Sequence, residues 1–277
     1  MKSTFFKILV MAFIIGVLAA CGAGDPEAEK TPDNNTGDTA TDSQEGEKAE
    51  KADGKVLKMA TSADFPPFES YDKEGNFVGF DIEVAQAIAD ELGYELEIQD
   101  MSFDGLIGAL QSGRVDMVMS GMSATEERKQ NVDFSEPYHR SGEMFIMKKD
   151  ADINSLEDLK GLTVGVQLGT IQEEGADELS SKYGFEVKKV DKAALLIQEL
   201  NSNRIDVGYL DKTVAEGFIA EQGLEGFDDP TTSSPGMGIA FPKGSELTEE
   251  INGALEKLIE NGTIAELEKK WDLTNAE

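Results

Sequence analysis

The chain has 277 residues, 39% of them hydrophobic, enough for a buried core in one large or two modest domains. Its 55 acidic residues outnumber 25 basic ones and give a formal charge of -30, a surface that repels phosphate backbones and anionic headgroups and argues against a nucleic-acid partner. The single cysteine excludes an internal disulfide.

The N-terminus reads as a leader. MKSTFFKILVMAFIIGVLAAC carries early lysines, then thirteen apolar or small residues from Ile8 to Ala20, then Cys21. That run is shorter than the about 20 apolar residues a transmembrane helix needs. Its end, Leu18-Ala19-Ala20-Cys21, resembles the bacterial lipobox. The resemblance implies that residues 1–20 are removed, that Cys21 is lipidated, and that the protein sits on the outer face of the cytoplasmic membrane by this anchor alone. The rest of segment 21–55 has no aromatic residue and no Val, Ile, Leu or Met. It cannot bury enough apolar surface to offset its ordering entropy, and is expected to be a disordered tether spanning roughly 30 Å as a random coil.

From Val56 onward short apolar runs alternate with amphipathic stretches, as an α/β domain requires. VLKMA, YELEIQDM and VDMVMS predict strands; GFDIEVAQAIADELG and FDGLIGALQSG predict helices, the first with Ile82, Val84, Ala85, Ile88, Ala89 and Leu92 on one face and Gly93 as its stop. A second series repeats the order with LTVGVQ, IQEEGADELSSKYG, EVKKV, AALLIQELNSN and RIDVGYL. LQSGRVDMVM and LNSNRIDVGY also match in letters, which supports two similar lobes. SGEMFIMKKD and SSPGMGIAFPKG read as strands passing from one lobe to the other, a two-strand hinge. The expected lobes are 56–140 with 238–277, and 141–237. In the closing segment two helices break at Asn261-Gly262, with Leu255, Leu258, Ile259, Ile264, Leu267 and Trp271 as an apolar stripe against the first lobe.

In open α/β sheets ligands sit beyond the carboxyl ends of the strands. In the first lobe those positions hold Ser62, Asp64 and Phe65, then Phe103, then Ser120, Gly121, Met122 and Ser123. In the second they hold Thr170, Ile171 and Gln172, then Asp211. A free amino acid carries a carboxylate and an ammonium that must both be satisfied when water leaves. Arg128 could take the carboxylate in a bidentate fork, beside a capping box at Ser123-Ala124-Thr125-Glu126; Asp211 is the natural ammonium partner. Phe65 and Phe103 would sandwich the ligand's side chain. Taken singly, Arg128 could equally pair with Glu126 or Glu127 on a surface helix, and the phenylalanines could simply fill core.

These motifs resemble the bacterial extracellular solute-binding proteins of family 3, the binding proteins of amino-acid ABC importers. The similarity is carried by ADFPPFES, GFDIEVAQAIADELG, SFDGLIGALQSGRVDMVMSGMSATEERKQNVDFSEPY, LKGLTVGVQLGTIQEE, GIAFPKG and ENGTIAELEKKW, over residues 56 to 273. It implies a type II periplasmic-binding-protein fold, closure on an amino acid, and delivery by a monomer to a membrane permease, with no cofactor and no metal. It further implies ligand contacts from Ser62, Phe65, Phe103, Ser120, Gly121, Met122, Ser123, Arg128, Gln167, Thr170, Ile171 and Asp211, with Gln172 a further candidate. Where many members that take basic or amide side chains carry an acid, this chain has Ser62, with Asp64 two places on. Arginine or lysine is the favoured ligand, with glutamine or cystine behind. The same fold hosts a dehydratase of small carboxylic acids and receptor sensor domains. Here catalytic apparatus is scarce: the one histidine, His139, is expected to be a solvated hinge residue, and no metal-ligand spacing appears.

Overall fold

The structure, a computed structural model, describes residues 54–273; the leader, Cys21 and most of the tether lie outside them. In chain order the first part supplies β1 (Val56–Thr61), the hairpin β2 (Ser70–Tyr71) and β3 (Phe77–Val78), α1 (Phe80–Leu92), β4 (Glu95–Asp100), α2 (Leu106–Gln111), β5 (Met117–Val118), α3 (Glu126–Lys129) and β6 (Val132–Phe134). There follow β7 (Glu143–Lys148), β8 (Thr163–Gln167), α4 (Ile171–Tyr183), β9 (Glu186–Val190), α5 (Ala193–Asn201), β10 (Val207–Asp211), α6 (Lys212–Gln222) and β11 (Leu224–Asp228). The chain closes with β12 (Ala240–Pro242), α7 (Leu247–Glu260) and α8 (Thr263–Lys270).

The strands form two five-stranded sheets, one per lobe, ordered β4-β1-β5-β12-β6 and β11-β7-β10-β8-β9. β1 lies between parallel β4 and β5, and β8 pairs in parallel with β9 and β10, so helices must carry the chain back across each sheet. α1 does this with Ile82, Val84, Ala85, Ile88 and Ala89 buried on one face, and Gly93 ends it at φ 73, a left-handed position that costs glycine nothing. β7 and β12 enter their sheets antiparallel to their neighbours. Between them the two crossing segments pair with each other: the Tyr138 amide donates to the Met237 carbonyl (2.9 Å) and the Met237 amide to the His139 carbonyl (2.8 Å). This is the two-strand hinge of a two-lobed α/β fold of the type II periplasmic-binding-protein class.

Three expectations are corrected. VDMVMS contains only a two-residue strand, β5. The α7–α8 stripe does not include Ile259, which is 49% exposed, because it points away from the face that buries Leu255 and Leu258. His139 is buried, its ring 5.2 Å from that of Phe68 and 6.3 Å from Phe80; its Nε2 has no hydrogen-bond partner, and desolvation lowers its pKa to about 4. A neutral aromatic role thus replaces the expected solvated one.

Candidate functional site

The loops that leave the carboxyl ends of β1, β4, β5, β8 and β10 converge on one cleft. Thirteen of the fourteen residues singled out from the sequence line it; Met122 does not, and Glu69 joins them. Met122 is 1% exposed and packs with Leu106, Leu110 and Val118 in the first-lobe core, because the backbone turn at Gly121 sends successive side chains in opposite directions.

The first-lobe wall is tied together before any ligand arrives. The Ser62 amide donates to Ser120 Oγ (3.0 Å), Ser62 Oγ to Asp64 Oδ1 (2.9 Å), and Ser120 Oγ to Glu69 Oε1 (2.7 Å). Gly121 has φ 54, and a Cβ there would stand 2.9 Å from the Phe65 ring, so glycine is what lets that ring form the cleft wall. Burial pushes the Asp64 carboxyl up, opposed by Ser62, by Lys192 and by the Ala193 and Ala194 backbone at the start of α5 in the other lobe.

Arg128 is 7% exposed. Its guanidinium lies 5.5 Å over the Phe103 ring and donates to the Ser123 carbonyl and, across the cleft, to the Gly169 carbonyl, both at 2.9 Å. It pairs with neither Glu126 nor Glu127; desolvation lowers its pKa, and the nearby charges of Glu174 and Glu127 oppose that. The expected capping box is absent. Thr125 is the cap, its side chain accepting from the Arg128 amide, and the helix it starts has four residues, too few to build a useful dipole. Ser123 instead meets Ser234 (3.5 Å).

In the second lobe Thr170 caps α4, accepting from the Glu173 amide, and its hydroxyl donates to the Gln167 carbonyl (2.7 Å), which holds Gln167 and Ile171 at the cleft. Gln172 donates through Nε2 to Glu143. Asp211 caps α6: Oδ1 accepts from the Thr213 amide (2.9 Å) and from Ser141 Oγ (3.1 Å). It is 4% exposed, and burial raises its pKa to about 7 against those hydrogen bonds. Sequence reasoning missed Glu69 because it follows no main-sheet strand; a lone acid inside the apolar run FPPFES was the signal.

The cleft therefore holds three carboxylates, Asp64, Glu69 and Asp211, against the single guanidinium of Arg128. Among the described residues no group of three or more His, Cys, Asp or Glu could hold a metal ion, and no helix is long and apolar enough to cross a membrane.

Compared with known proteins, the chain matches the family model "Bacterial extracellular solute-binding proteins, family 3" over residues 57–274. The chain belongs to that family. Among curated relatives of this family, the arginine-binding extracellular protein ArtP of Bacillus subtilis (strain 168) is 45% identical over 95% of this chain and 96% of its own. Among solved structures, an ancestral arginine-binding protein bound to glutamine has a TM-score of 0.74 and 45% identity, covering 78% of this chain and 97% of that one. The ancestral amino acid-binding protein AncCDT-1, a precursor of cyclohexadienyl dehydratase, has a TM-score of 0.73 and 40% identity, covering 78% and 95%.

Proposed function

We propose that this family 3 protein captures a basic amino acid, arginine before lysine, and hands it to an ABC importer in the membrane below. The observation that carries this is the charge of the cleft, three carboxylates to one guanidinium. A zwitterion with a neutral side chain offers one carboxylate to Arg128 and one ammonium to Asp211, and leaves Glu69 buried without a counter-charge and Asp64 with only the charge of Lys192. A cationic side chain lying along Phe65 and Phe103 supplies that charge. The arginine-binding names of ArtP and of the ancestral structure support the same choice, and the glutamine in that structure keeps glutamine as the weaker candidate.

The protein acts by binding alone in this reading, as a monomer. The cleft residues include neither His nor Cys, and each acid is held by hydrogen bonds that suit recognition, not proton transfer to a reacting bond. The lipid on Cys21 keeps the protein at the outer face of the membrane. Calorimetric titration with arginine, lysine, glutamine and cystine tests the ligand: arginine is expected to bind tightest, and a preference for glutamine or cystine would overturn the charge argument. Cys21→Ser is expected to release the protein from membranes with ligand binding intact.

A further inference from the structure

Behind the cleft wall lies a second carboxylate that touches no cleft space. Asp81, at the start of α1, is fully buried, and so is Glu69. Asp81 Oδ2 accepts from the Gly121 amide and from the Tyr138 hydroxyl, both at 2.8 Å, and Glu69 Oε1 accepts from Ser120 Oγ. As carboxylates, the two remaining oxygens, Glu69 Oε2 and Asp81 Oδ1, have no hydrogen-bond donor at all. The fold sets the two acids side by side: the Asp81 amide donates to the carbonyl of Phe68, the residue before Glu69 (2.9 Å), and their donors Ser120 and Gly121 are consecutive. Two bare acceptor oxygens buried in one place are satisfied together only if a proton lies between them.

We propose that Glu69 and Asp81 hold one resident proton between them, so that the pair presents a single negative charge to the cleft, and that Asp81 is thereby the positioning residue for recognition of a cationic side chain. This rests on the basic amino-acid reading above. The shared proton satisfies the last oxygen of each acid and removes the repulsion of two adjacent buried anions. Neither acid has a hydrogen bond to a cationic side chain. Asp64 faces the pair from the loop after β1, and the Tyr138 phenol from the crossing segment. His139 next to it is neutral, packed on Phe68 and Phe80, and Arg128 and Asp211 line the same cleft. Burial above all, then the Asp81 charge, pushes Glu69 well above the ordinary carboxylate range, and burial raises Asp81 to about 7.

The consequence is a preference that depends on pH. Below about 7 the pair takes up a second proton and turns neutral, so a cationic ligand must expel it to bind, whereas an uncharged ligand of the same shape need not. Asp211 titrates in the same range but meets the ammonium of either ligand, so it cancels in their ratio. The test is calorimetric affinity for arginine and for citrulline, its uncharged isostere, from pH 5.5 to 8.5, in the wild-type protein and in Asp81→Asn. A citrulline affinity too weak to titrate directly is read by competition with arginine. In Asp81→Asn an amide N–H replaces the shared proton, while its oxygen still accepts from Gly121 and Tyr138. The wild-type preference for arginine over citrulline is expected to fall by up to about tenfold per pH unit below about 7. In Asp81→Asn it is expected to stay level across the range. A wild-type preference that does not change with pH, or an Asp81→Asn preference that falls as the wild type does, overturns the shared proton and leaves the ligand assignment standing. If Asp81→Asn does not fold, the wild-type ratio decides alone. Failure to bind arginine at all overturns both.

Discussion

Arg128 gathers more of the closed cleft than its place at a strand exit suggests. Its guanidinium holds the Ser123 carbonyl of its own lobe and the Gly169 carbonyl of the other, and still has free N–H groups for a ligand carboxylate. Truncating one partner of a buried charge pair costs about 2 to 5 kcal/mol, so Arg128→Ala is expected to weaken arginine binding by roughly thirty-fold or more, with Arg128→Lys recovering only part. Calorimetric titration of both variants reads this. A second residue-scale prediction concerns Glu143, which is 3% exposed. Its Oε1 has no partner, and burial, reinforced by Asp211 and Asp229, raises its pKa to about 9. A raised carboxylate stabilises the fold below its unfolded pKa, near 4.5, and loses that contribution as pH climbs to about 9, because only the unfolded chain ionises freely in between. The ligand-free melting temperature is therefore expected to fall from pH 6 to pH 9. Glu143→Gln should flatten that fall and melt higher than the wild type at pH 9, by differential scanning calorimetry.

At the scale of elements, the strands end where the chemistry is needed and the helices hold those ends still. Two cleft residues are also caps: Thr170 starts α4 and Asp211 starts α6, so both are fixed by the helix behind them, and Thr125 caps the short α3 that carries Arg128. α7 and α8 brace α1 from outside through Ile251, Ala254, Leu255, Leu258 and Ile264, all buried. Leu255 is 1% exposed and Ile259 49%, although both belong to one apolar pattern. Leu255→Ala is expected to cost about 2 to 5 kcal/mol of unfolding free energy in urea titration. Ile259→Gln is expected to stay within about 0.5 kcal/mol.

For the whole molecule, closure brings backbone against backbone. Gly169, at φ 78, lies so near the first lobe that a Cβ would stand 2.9 Å from the Asp104 Cα. An alanine there obstructs the closed form more than the open one, where the facing residue withdraws. Gly169→Ala is expected to weaken arginine affinity by at least about tenfold, with less ligand-induced compaction in small-angle scattering. Wild-type compaction and affinity in this variant would show that the lobes close without that contact.

The alternation of short apolar runs with helical faces was enough to lay out two βαβαβ series, and the rule of strand ends pointed to eleven of the residues that line the cleft, because period and turn chemistry are local signals; Gln167 entered only through the family resemblance. The small hairpin β2–β3, β6 and β11 escaped that alternation, since the hairpin interrupts the step from β1 to α1 and the other two follow the last strand of each βαβαβ series. Ser123 as a cap and Ile259 as core were corrected because which hydroxyl meets a helix start and which helix face meets the core are fixed only by packing, and packing also turns Met122 away from the cleft lining. Tertiary structure alone joined Glu69 to Asp81, residues twelve apart with no shared motif, and brought Gly169 to Arg128. What burial does to a carboxylate depends on which other charges the fold leaves beside it, and the order of residues along the chain does not contain that distance.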